Sequence, residues 1–120
     1  MEVLKRVKLD IVIILQGVLY MVTIEEMQRV LTPIFESRGV TKAILFGSYA
    51  KGEATESSDV DLLVETEDYV VGLAFFGIIA DVEEVLEREV DLISGRYIVP
   101  NSRIDREIRE TGRIIYEKAG

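Results

Sequence analysis

The stretch Phe46-Gly47-Ser48-Tyr49-Ala50-Lys51-Gly52-Glu53-Ala54, followed shortly by Ser58-Asp59-Val60-Asp61-Leu62-Leu63-Val64, decides the fold. Val40 to Phe46 is a short apolar run that reads as a buried strand and is closed by Gly47-Ser48. The polar residues from Tyr49 to Ser58, with Gly52 among them, read as a loop. Val60 to Glu65 is then a second strand. Asp59 and Asp61 lie two apart on it, so their side chains project from one face. Two carboxylates beside Leu62, Leu63 and Val64 repel one another and are costly to desolvate. A hard divalent cation relieves both costs. Magnesium prefers oxygen ligands and commonly takes one or two carboxylates plus substrate phosphates. The plainer alternative is a pair of strand-end acids standing in water.

Further along, Val90-Asp91-Leu92-Ile93 repeats the pattern Val60-Asp61-Leu62-Leu63. It reads as a third strand, Val90 to Ser94, with Asp91 at its mouth as a third carboxylate. Three such groups could hold two ions about 3.5–4 Å apart, the clamp used for in-line displacement at phosphorus. Gly47 lets backbone approach a phosphate, and Ser48 with the following amides can donate to its oxygens at a helix start. A simple turn explains the same two residues. The segment is not a Walker P-loop, because Gly47 to Gly52 lacks the Gly-Lys-Ser/Thr ending.

Helical patterns surround these strands. Thr23-Ile24-Glu25-Glu26 is a capping box, and Ile24, Met27, Leu31, Ile34 and Phe35 form a stripe up to about Arg38, where Gly39 stops the helix. Pro33 inside it is expected to kink or shorten it. From Gly72 to Arg88, Phe75, Ile78, Ile79, Val82, Val85 and Leu86 face one way. Leu73, Phe76 and Ala80 lie beyond that stripe, which suggests core contacts on two sides. Asn101 or Ser102 caps a charged helix to about Thr111, on which Arg103 and Arg106 are placed to pair with Glu107 and Glu110. Arg113 to Glu117 reads as a last strand. Leu4, Val7, Ile11, Ile14, Leu15, Val18 and Val22 also recur at helical spacing. Residues 1–22 are therefore expected to form an extra N-terminal helix, with Met21 as an alternative start. Residues 23–120 form the main domain. The class is α/β (α+β): a small mixed β-sheet flanked by helices.

Composition narrows the chemistry. The 120 residues contain no histidine and no cysteine, which excludes disulfides, thiol catalysis, Cys/His zinc sites and Ser-His-Asp triads. Acids, bases and metal ligands must be carboxylates, hydroxyls, lysines or backbone groups. A net charge of −8 disfavours a surface that coats nucleic acid. The apolar run from Ile11 to Val22 is shorter than the ~20 residues of a membrane span, and no small-residue cleavage site is clear, so the expected location is cytoplasmic.

The combined spacing is more specific than its parts. Gly47-Ser48, ten residues, then Asp59-Val60-Asp61 resembles the signature of the DNA polymerase beta-type nucleotidyltransferase superfamily. The wider string from Phe46 to Val64 resembles its smallest members, the minimal nucleotidyltransferases (MNT family), many of which act as antitoxins beside HEPN-domain toxins. The resemblance spans roughly Thr23 to Glu117, and no metal-site position departs from the pattern. It implies that Gly47 and Ser48 hold the terminal phosphates of a nucleotide. It also implies that Asp59 and Asp61 bind two Mg²⁺ ions, with Asp91 as third ligand and base for the incoming hydroxyl. Lys51 stands where many relatives carry arginine and is a further phosphate contact, or else a solvated loop lysine. The implied reaction is transfer of AMP from ATP to a tyrosine of a HEPN toxin. Only about 60 residues follow Asp61, too few for the added helical domain of larger relatives, so the acceptor is expected on a partner protein in a hetero-oligomer. Two alternatives stand beside this: neutralisation of the partner by binding alone, and nucleotidyl transfer to a small molecule.

Overall fold

A computed structural model describes residues 23–55 and 58–119. The expected helix over residues 1–22 lies outside the described residues. Thr23 caps α1 (Ile24–Ser37), its Oγ1 accepting from the Glu26 amide at 3.1 Å. Met27, Leu31 and Phe35 of α1 are wholly buried. Pro33 does not shorten the helix, which continues to Ser37. Gly39 then turns the chain with φ +77°, and a Cβ there would sit 2.7 Å from the Tyr69 hydroxyl.

The remaining elements are β1 (Val40–Phe46), α2 (Ser48–Lys51), β2 (Val60–Thr66), α3 (Leu73–Leu86), β3 (Val90–Ser94), a 3-10 turn (Gly95–Tyr97), α4 (Arg103–Thr111) and β4 (Arg113–Glu117). All four strands fall where the apolar runs place them. The segment after Gly47 departs from a plain loop, because its first four residues form the short helix α2. The sheet order is β3-β2-β1-β4. β1 is antiparallel to β2 and β4, while β2 and β3 are parallel and joined through α3. A parallel pair needs such a crossover.

Alternation along β2 separates core from site. Val60, Leu62 and Val64 are fully buried and join Met27, Leu31 and Phe35 of α1 and Ile78, Val82 and Leu86 of α3 in one core. The odd-numbered residues Asp61, Leu63 and Glu65 therefore project from the other face. In α3 the expected two-sided burial is not found. Leu73 is 88% exposed and Phe76 64% exposed, so the second apolar side faces outward. Glu107 and Glu110 also lose their expected role on α4, where an ion pair instead joins Arg109 to Asp105 at 2.7 Å. Among the described residues no helix is long and apolar enough to cross a membrane.

Candidate nucleotide and metal site

The strand ladder gathers the carboxylates at one edge of the sheet. Phe46, the last residue of β1, is opposite Asp61 on β2, and Asp61 is in register with Asp91 on β3. Neighbours in a parallel register share a face, so the two repeated Val-Asp-Leu segments place Asp61 and Asp91 side by side. Asp59 lies immediately before β2, exposed, with the same parity as Asp61.

Gly47 fits against this pair. It has φ +75° and ψ −150°, a region essentially restricted to glycine. A Cβ there would overlap Asp61 Oδ2 and lie 3.3 Å from Asp61 Cγ. Gly47 also starts α2, whose opening residue is Ser48. The first amides of a helix have no partner within it, so the turn presents N–H groups beside the carboxylates.

Electrostatics single out Asp61. Partial burial, then the negative charges of Asp91, Glu107 and Asp59, push its pKa up from 3.8 to about 6. Glu107, on α4, is expected from the sequence only as an ion-pair partner of Arg103, not as a neighbour of Asp61. The sign of the consequence follows directly. Unfolded Asp61 loses its proton near pH 3.8 and the folded residue near 6, so the native state binds more protons in between. The stability of the free protein should fall from pH 4 to pH 6.5 through this group and then level off. Asp61→Asn should remove that component. Differential scanning calorimetry is expected to show equal melting temperatures near pH 4 and a higher one for Asp61→Asn at pH 7.5.

Lys51 is not drawn into the cluster. It is about half exposed and lies 3.6 Å from Glu53, a surface pair of little energetic weight. Among the described residues no three carboxylates already converge as ligands of one ion. Asp61 and Asp91 are neighbours in register, and Asp59 precedes β2 with the same parity. The donor set nevertheless fits a hard cation. It is all oxygen, it carries uncompensated negative charge at Asp61, and the missing Cβ of Gly47 leaves that carboxylate its space.

A family model described as the nucleotidyltransferase domain matches residues 29–115, most of the chain. The chain belongs to that family. The protein adenylyltransferase MntA of Thermococcus cleftensis is 40% identical over 77 residues, covering 61% of this nucleotidyltransferase and 78% of MntA. Among solved structures, a chain assigned as a minimal nucleotidyltransferase is 28% identical, with a TM-score of 0.65, over 76% of this chain and 94% of its own. A chain from the complex of tri-AMPylated Shewanella oneidensis HEPN toxin with MNT antitoxin shares the fold at 16% identity. Its TM-score is 0.61, over 80% of this chain and 74% of its own. The α+β fold with a mixed four-stranded sheet is thus that of the minimal nucleotidyltransferases.

Proposed function

We propose that this nucleotidyltransferase moves AMP from ATP to a hydroxyl, a tyrosine being the fitting acceptor, on a HEPN-type toxin and so acts as its antitoxin in the cytoplasm. The observation that carries this reading is the parallel register of Asp61 and Asp91 beside the Gly47-Ser48 turn. The name of its relative MntA and the AMPylated toxin in the complex of a structural neighbour support the same chemistry.

In this reading Asp59, Asp61 and Asp91 hold two Mg²⁺ ions, which when bound neutralise phosphate charge and orient the reacting oxygens. Ser48 and the amides after it bind the terminal phosphates. Lys51, paired at the surface with Glu53, is a further phosphate contact in this reading. The acceptor oxygen attacks the α-phosphorus, the bond from that phosphorus to the bridging oxygen breaks, and pyrophosphate leaves. Asp91 takes the hydroxyl proton. Catalysis of this kind is mostly positioning and charge stabilisation, so a chain without histidine is equipped for it. The net charge of −8 makes a directly bound nucleic acid a poor fit, and the proposed domain runs from residue 23 to 120.

Co-expression with the neighbouring gene's product, taken as the candidate HEPN-type toxin, tests the reading in cells. Wild type is expected to restore growth, and Asp59→Asn is expected not to. Equal protection by both would instead mean that binding alone neutralises the partner.

A further inference from the structure

The backbone N–H of Gly47 is already engaged. It donates to Thr111 Oγ1 at 3.1 Å, across a sequence separation of 64 residues. Thr111 is the last residue of α4, and its hydroxyl donates to the Glu107 carbonyl at 2.8 Å. A hydroxyl has one proton, so giving it to the helix leaves the oxygen as acceptor toward Gly47. The Gly47 carbonyl is engaged as well, accepting from the Lys51 amide at 3.1 Å. Both polar groups of this residue are held from outside its own peptide, in a conformation that neither helix nor strand would impose.

The approach of Thr111 is itself built in. At Gly112 a Cβ would overlap the Ile108 carbonyl and lie 3.0 Å from Ile44 Cγ2. The Gly112 amide donates to that same carbonyl at 2.7 Å. The junction between α4 and β4 therefore folds back on the last turn of α4 too closely for a side chain, with Ile44 of β1 beside it. The ladder of β4 on β1, with Leu45 opposite Arg113, anchors it there.

The geometry points to Thr111 as a positioning residue for nucleotide binding, a clasp whose hydroxyl fixes the Gly47 peptide and so holds Ser48 in place relative to Asp61. This rests on the proposed role of the Gly47-Ser48 turn in holding phosphates. Thr111 touches no substrate and acts through Gly47. It also narrows the part played by Gly47, whose amide is occupied, so that its contribution is conformation and close approach.

Two variants and two readouts test the proposal. Thr111→Val keeps the shape and loses the hydroxyl, while Thr111→Ser keeps the hydroxyl. Amide hydrogen exchange by NMR should show Gly47 protected in wild type and in Thr111→Ser, and at least ~10-fold faster in Thr111→Val. ATP affinity with MgCl₂ should weaken about tenfold in Thr111→Val, the worth of one hydrogen bond, and return in Thr111→Ser. In AMP transfer the loss should fall on KM for ATP rather than on kcat. Wild-type ATP affinity in Thr111→Val, or failure of Thr111→Ser to rescue, would overturn the clasp alone. Rapid exchange of the Gly47 amide in wild type would overturn it whatever the variants do. A wild-type chain that binds no ATP would overturn the nucleotide reading and the clasp together.

Discussion

Replacing Asp61 or Asp59 by asparagine is expected to lower AMP transfer by at least ~10³-fold while leaving the chain folded. Asparagine keeps the shape of the side chain and removes the charge that would hold a cation. Bound metal ions contribute several kcal/mol of charge stabilisation at a transferring phosphorus, and each 1.36 kcal/mol is about tenfold in rate. At Asp61 the substitution separates chemistry from folding unusually well. The fold carries this carboxylate at a cost set by burial, Asp91, Glu107 and Asp59, so removing its charge should not lower the melting temperature at pH 7.5. Single-turnover transfer from ATP labelled at the α-phosphate measures the rate, and calorimetry on the same sample measures the fold. A rate within tenfold of wild type for Asp61→Asn would mean that the carboxylate pair does not hold the catalytic ions.

Gly47→Ala should fail for a different reason. Alanine at φ +75° and ψ −150° is strained, on the order of 1–3 kcal/mol. Its methyl group would also occupy the space of Asp61 Oδ2. Relief requires Asp61 to swing away or the turn to change its conformation, and either breaks the relation between the two halves of the site. We expect a melting temperature lower by roughly 5–15 °C and transfer lower by at least ~100-fold, read by calorimetry and by the same labelling assay. If Gly47→Ala kept both values, the close packing of Gly47 on Asp61 would have no part in the site. Gly52, with φ +74° but open space around it, provides the contrast. Gly52→Ala should cost only its backbone strain and leave transfer nearly intact.

The contrast between the two glycines also shows how far the amino-acid sequence could be read. The strands and the helices α1, α3 and α4 follow from apolar periodicity and caps, because their stabilisation is local pattern joined to burial. The repeated Val-Asp-Leu segments foretold a shared environment for Asp61 and Asp91, and the parallel register supplies it. Glu107 and Thr111 were not legible. They reach the site only because β4 returns beside β1, a pairing that no local pattern specifies. Charge pairing on α4 drew the reading of Glu107 away from Asp61 altogether. The outward side of α3 is not legible for a similar reason. An apolar face at Leu73 and Phe76 reports hydrophobicity but not what lies against it. The four residues of α2 are too few for a periodic signal, and only the Gly47-Ser48 pattern points to a helix start there.

The most direct measurement is the intact mass of the neighbouring gene's product, taken as the candidate toxin, after incubation with this nucleotidyltransferase, ATP and MgCl₂. A gain of one or more AMP units on that protein is expected, absent when EDTA is present or when Asp61→Asn replaces wild type. A toxin of unchanged mass with the wild-type enzyme, or a gain that survives EDTA, would contradict it.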